Sequence, residues 1–211
     1  MTQARGKQIV NQTLGLSLQS KRGLRNLVDE VYTDVATDIA TVGTSAAALT
    51  TAATAGITGG TDTIYLNSVV SQGSLITTTI YIDLDGLSSS TTDGDIIGQS
   101  TPAAHIGQIT AAQNGTITHG TCECLESPVG GVTDIDIYAA TEATGAFDTA
   151  IGTLTSVAQL TRGGAWAITE EKPFTALPAT AKYLYLTGGA AGTAAEYSAG
   201  KFLITLYGYS A

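Results

Sequence analysis

The side chains able to do chemistry are few and fall into short clusters. His105 and His119 are the only imidazoles, and Cys122 and Cys124 are the only thiols. Three carboxylate pairs recur at a spacing of two: Asp83 with Asp85, Asp93 with Asp95, and Asp134 with Asp136. A serine-type hydrolase needs a nucleophile, a histidine base and an orienting acid. No G-x-S-x-G elbow is present to supply the nucleophile. His119 follows a strand-like GTIT and precedes Gly120, while His105 follows Pro102 in a loop-like passage. Both read as ordinary polar residues.

The carboxylate pairs would share one face if their segments are strands. Glycosidases also use two carboxylates, but from different strands, about 5–9 Å apart in a groove rich in aromatics. One Trp and three Phe do not furnish such a groove. Calcium takes six to eight oxygens, and the D-L-D-G at 83–86 lacks the remaining loop ligands. The acids are therefore expected to keep an outer sheet face soluble and to block edge pairing. In TCECLE the two cysteines would point to one face, roughly 6.5–7 Å apart along a strand, which is poor disulfide geometry. Zinc normally needs four ligands, and neither histidine sits at a matching spacing. Buried free thiols are expected. No phosphate loop or dinucleotide fingerprint occurs. The expectation is a protein that is not an enzyme, with no catalytic residue, no metal and no cofactor.

The elements that must carry these residues change character along the chain. Leu24, Leu27, Val28, Val31, Val35, Ile39 and Val42 recur at spacings of three and four, with Asp29, Glu30, Asp34 and Asp38 off the stripe. This predicts one amphipathic helix over 24–42, about 28 Å long, ended by Gly43. Residues 43–62 are small and nearly uncharged, and read as a linker or an irregularly packed passage. Beyond residue 62 the period becomes two. Ile80, Ile82 and Leu84 share one parity against Tyr81 and Asp83, and Ile135 and Ile137 alternate with Asp134 and Asp136. Leu184 and Leu186 oppose Tyr183 and Tyr185, while Phe202, Ile204 and Leu206 oppose Leu203, Thr205 and Tyr207. With shorter runs at 63–70, 95–97, 105–110, 115–125 and 166–170, about nine strands are expected. Thr supplies 35 of the 211 residues, which suits a half-exposed pleated sheet, and Asn114-Gly115, Gly130-Gly131 and Gly188-Gly189 mark turns. The fold class expected is all-β: an antiparallel β-sandwich, jelly-roll-like, over 63–211. A basic N-terminal arm over 1–23 and the helix precede it.

Charge divides the chain further. Arg5, Lys7, Lys21, Arg22 and Arg25 all precede residue 26, and no acid does. The remainder holds 4 basic and 18 acidic residues, a net −14. Such a body excludes nonspecific nucleic-acid binding, while the arm reads as either a docking segment for an acidic surface or a solvated terminus. No signal-peptide pattern opens the chain, and residues 45–57 are too short and polar to span a membrane, so a soluble protein made inside a cell is expected. Charged residues make up only 13% of the sequence, about half the usual share, as if much of the surface were covered by neighbours.

The passages GDIIGQSTPAAHIGQITAAQNGTITHGTCECLE and TDIDIYAATEATGAFDTAI resemble a family of virion structural proteins of tailed bacteriophages of the marine and cyanophage type. The later FTALPATAKYLYLTGGAAGTAAEYSAGKFLITLYG is similar to that family's C-terminal hairpin. The resemblance covers roughly residues 75–208 and implies a capsid-associated role without cofactor or catalytic residues. It points to a decoration (cement) protein on the virion head, made in the host cytoplasm and partnered by the major capsid protein. A receptor-binding or fibre protein anchored by its N-terminal segment is the alternative. Arg5, Lys7, Lys21, Arg22 and Arg25 are the expected capsid-docking residues, with no direct nucleic acid and no membrane as partner.

Two readings of the helical stripe stand: three copies meet through it as a homotrimer, or the helix packs on its own domain. Leu24, Val28, Val31, Val35, Ile39 and Val42 would form the trimer seam, although a strict heptad puts Asp38 there too. Under the trimer reading, Val31→Asp combined with Val35→Asp lowers the mass measured by light scattering and leaves the β circular-dichroism signal intact. An unchanged mass supports the second reading.

Overall fold

The period-two segments become the long strands of a computed structural model, described for residues 45–161, 164–192 and 194–210. The described residues all belong to one compact unit, Ser45–Ala211. The expected helix 24–42 and the arm 1–23 lie outside the described residues.

Six strands make the larger antiparallel sheet. β1 (Ser45–Ala47), β2 (Tyr65–Gln72), β3 (Leu75–Asp83), β6 (Thr116–Val129), β9 (Glu171–Pro173) and β12 (Ala199–Tyr209) lie in the order β1-β2-β3-β12-β6-β9. The second sheet has the order β5-β10-β7-β8, from β5 (His105–Ile109), β7 (Ile135–Ala140), β8 (Ala158–Gln159) and β10 (Lys182–Gly188). β4 (Ser88–Ser89) and β11 (Ala195–Glu196) pair separately. This is the all-β antiparallel architecture expected, although its strand order does not by itself make a jelly roll.

The inward parity of both sheets meets in one core. Ile80, Ile82, Leu84, Ile135, Ile137, Leu184, Leu186, Ile204 and Leu206 are all buried in a single cluster. Trp166 ties the layers together: its ring meets Phe202 edge-on at 5.3 Å, and its Nε1 donates to the Ile135 carbonyl at 2.7 Å. A buried indole N–H needs such a partner.

Several strand expectations are corrected. Residues 166–170 form no strand, because Trp166 turns into the core and Thr169 takes a positive φ of 68°. The strand beside β6 is Glu171–Pro173 instead. Residues 95–97 provide only isolated bridges, Asp95 to Ala150 and Ile96 to Thr187. Over its described part, the stretch 43–62 is packed rather than a free linker, which fits the second of its two readings. Ser45–Ala47 pairs with Val69–Ser71 at the edge of the larger sheet. Residues 51–54 then run along the edge of β5, where the amides of Thr54 and Gln108 donate to the carbonyls of His105 and Thr51. A one-turn helix α1 (Ala55–Thr58) follows. Leu49 and Ile57 are its anchors in the core. Small side chains make the close approach possible: a β-carbon on Gly56 would fall 2.4 Å from the Ala103 carbonyl oxygen.

Since Ile137 is 1% exposed, Ile137→Ala should destabilise the protein by about 2–5 kcal/mol in urea unfolding. Leu203→Ala, on the outward parity of β12, should cost less than about 1 kcal/mol. Equal costs would mean that the core is not where the alternation places it.

Candidate functional site

The docking residues Arg5, Lys7, Lys21, Arg22 and Arg25 and the seam residues Leu24, Val28, Val31, Val35, Ile39 and Val42 lie outside the described residues. The other chemistry-bearing residues are all placed. Cys122 and Cys124 point inward from β6 as buried free thiols, opposite Ile204 and Phe202 of β12. Burial pushes both thiols above their ordinary pKa, and Cys124 Sγ lies 3.2 Å from the Glu126 carbonyl as its donor. Protonated and enclosed, they are poor nucleophiles and poor metal ligands.

The carboxylates depart from expectation. One member of each pair is buried: Asp83, Asp95 and Asp136 are 7%, 7% and 5% exposed. They do not simply solubilise an outer face, because each is held by polar groups. Asp95 Oδ2 accepts from Ser90 Oγ at 2.7 Å, and Asp136 Oδ2 accepts from Gln159 Nε2 at 2.6 Å. Asp83 lies 3.5 Å from Lys201 Nζ. Asp134 and Asp136 lean over one backbone position, since a β-carbon on Gly189 would lie 2.5 Å from Asp134 Oδ1 and 3.1 Å from Asp136 Oδ2. Among the described residues, no group of three or more His, Cys, Asp and Glu side chains converges as a metal site would require.

His105 is not in a loop but opens β5, paired with Tyr185 of β10 and 2% exposed. Its ring lies 4.9 Å from that of Tyr183 and 6.2 Å from that of Tyr185. Nδ1 is buried without a hydrogen-bond partner, and burial lowers the imidazole pKa below 6.5. Tyr185 Oη donates to the Glu142 carbonyl at 2.6 Å, so it is committed to closing the 141–145 loop over this face. With no hydroxyl or thiol on its nitrogens among the described contacts, His105 lacks the nucleophile that a base must activate. It acts as a neutral core ring.

The larger sheet differs. Its outward side carries rows read across β2, β3, β12 and β6: Val70, Thr77, Tyr207 and His119 form one, and Ser68, Thr79, Thr205 and Thr121 the next. Leu66, Leu75, Tyr207 and Tyr209 are 62%, 66%, 45% and 45% exposed. His119 stacks on Tyr207, with centroids 5.8 Å apart and planes at 25°. A groove of about 530 Å³ runs between Val70, Leu75, Thr77, Tyr207 and Tyr209. Charge gathers at the opposite end, where Lys201 pairs with Glu126 and Asp83, and Glu123 sits directly across from Glu171. This wide face of hydroxyls, tyrosines and aliphatic side chains is the candidate functional surface. Its β12 half was readable from the alternation of Leu203, Thr205 and Tyr207. The contributions of β2 and β6 were not, because register is a pairing property.

No family model matches the chain, and no curated protein or solved structure matches it. Among the described residues no helix is long and apolar enough to cross a membrane.

The depressed His105 pKa sets a sign. The unfolded chain binds a proton near pH 6.5 that the folded chain refuses, so the unfolded state gains as pH falls through that value. The stability held above pH 6.5 should therefore be lost progressively down to the lower folded pKa. His105→Gln should shrink the difference in unfolding free energy between about pH 7.5 and about pH 5. An identical difference in the variant would show that His105 does not titrate in this way.

Proposed function

We propose that this chain is a structural virion protein of a tailed bacteriophage, most specifically a decoration protein that binds the assembled head and reinforces it. The observation that carries the reading is the broad, weakly charged outer face of the larger sheet, a surface suited to protein contact rather than to turnover. Tyrosine is enriched in protein interfaces, whereas Lys, Glu and Asp are depleted there. The resemblance of residues 75–208 to phage virion proteins supports the same reading and supplies the major capsid protein as partner. The opposite charges of residues 1–25 and of the rest of the chain fit an arm reaching for an acidic shell. The homotrimer belongs to the proposal as well: three arms on one particle would bind with avidity at threefold or quasi-threefold positions. The protein would be made in the host cytoplasm and reside on the capsid surface.

Heads of the encoding phage, incubated with the purified chain and pelleted, test the proposal. The full chain should co-sediment, and a variant lacking residues 1–25 should stay in the supernatant with its thermal midpoint unchanged. Full attachment of the truncated chain would remove the arm from the mechanism. Cross-linking of the chain in virions only to tail proteins would replace the decoration reading by the fibre one.

A further inference from the structure

The open face of the larger sheet offers more contact than an attachment arm requires. Among the described residues its two edges are poor places for a second chain to add a strand. β1 is three residues long, and β9 is equally short and ends in Pro173, which has no N–H to offer. Association through this sheet must therefore use its face.

We propose that this face binds the same face of a second copy of the chain. A twofold axis along the strands, between β3 and β12, lays β3 of one copy over β12 of the other. Leu75 then meets Tyr209, Thr77 meets Tyr207, and the grooves stack upon each other. Knob and hollow belong to one patch: Leu75 and Tyr209 project beside the groove that they help to line. A twofold contact requires this self-complementarity.

Charge selects the occupant. Among the described residues the groove is lined by no ionised side chain, and the same axis places β6 of one copy over β2 of the other. The two Glu123–Glu171 corners then lie at opposite rims of the pair and do not meet. A basic partner would instead be drawn to that acidic corner and would leave the groove unused. Size is adequate too. Four strands spaced about 4.8 Å apart over nine residues present roughly 600 Å² of sheet plane. Doubled, that is roughly 1,200 Å², the lower end for specific interfaces. Two sheets so stacked would lie about 10 Å apart, the usual sandwich spacing.

The inference goes beyond attachment to a shell, and its test needs no shell, so either can fail alone. Sedimentation equilibrium of the full chain should give an assembly mass that Leu75→Lys with Tyr207→Lys halves, whichever state the N-terminal stripe produces. Both positions are exposed, so the fold should survive. A second arm uses two single variants, Thr77→Cys and Tyr207→Cys. Mixed and treated with a short bis-maleimide, which spans sheets about 10 Å apart, they should give a covalent pair faster than either alone, the native thiols being buried. A wild-type mass of 21.4 kDa at all concentrations would overturn the proposal. So would a mass unaffected by the lysines, or mixed cysteines that link no faster than an exposed control such as Leu177→Cys.

Discussion

β12 pairs with two neighbours at once, and the described fold depends on that double ladder. From Lys201 to Tyr209 it is in register with Asp83 to Leu75 on one side, and on the other with Glu126 to Thr116 through two bulges. Strand alternation then leaves one arrangement: Phe202, Ile204 and Leu206 turn inward, while Lys201, Leu203, Thr205, Tyr207 and Tyr209 turn outward. A slip of one residue would bury Lys201 and expose Phe202. Burying an aliphatic or aromatic side chain of this size is worth roughly 1.5–3 kcal/mol, so three inward residues strongly oppose the slip. Once β12 is set, the inward faces of β3 and β6 are set with it, including the placement of both thiols.

The second sheet is constrained differently, because both of its faces are covered. Its inward side meets the core through Ile135, Ile137, Leu184 and Leu186. Its other side carries His105, Tyr185, Asp136 and Thr187, all buried. Covering polar groups requires partners. Tyr185 finds the Glu142 carbonyl, and Asp136 finds Gln159. His105 Nδ1, Thr187 Oγ1 and Asp134 Oδ1 find none. Burial without a partner explains why the imidazole is held neutral.

The two sheets treat their outer faces differently. One sheet spends its outer face on the 141–157 passage, and among the described residues nothing packs over the other, which is paved with threonine. Threonine keeps such a face compatible with water while adding little charge. The tyrosines and Leu75 concentrate contact at one end, and the Lys201, Asp83 and Glu126 group marks the other. The 13% share of charged residues is the compositional counterpart of that face.

Alternation was enough to predict strands over most of β3, β7, β10 and β12 and to set on shared parities the nine residues found together in the core, because a period of two is local and needs no knowledge of partners. Inward cysteines followed from the same parity. What the tertiary structure alone decided was which strands lie side by side, and hence which outward residues share a face: Val70, Thr77, Tyr207 and His119 are far apart in sequence and become one row only through pairing. It also decided the fate of Leu49 and Ile57, whose surroundings in sequence are Ala-, Thr- and Gly-rich and carry no period, and of Trp166, which opens a run expected as a strand and turns into the core instead. They anchor the core because close backbone approach, at Gly56 for example, brings distant carbonyls and apolar side chains to them. Burial of one acid in each Asp pair was likewise beyond the sequence, since it rests on a Ser, Gln or Lys that the fold brings within reach to supply the hydrogen bond or counter-charge that water would otherwise provide.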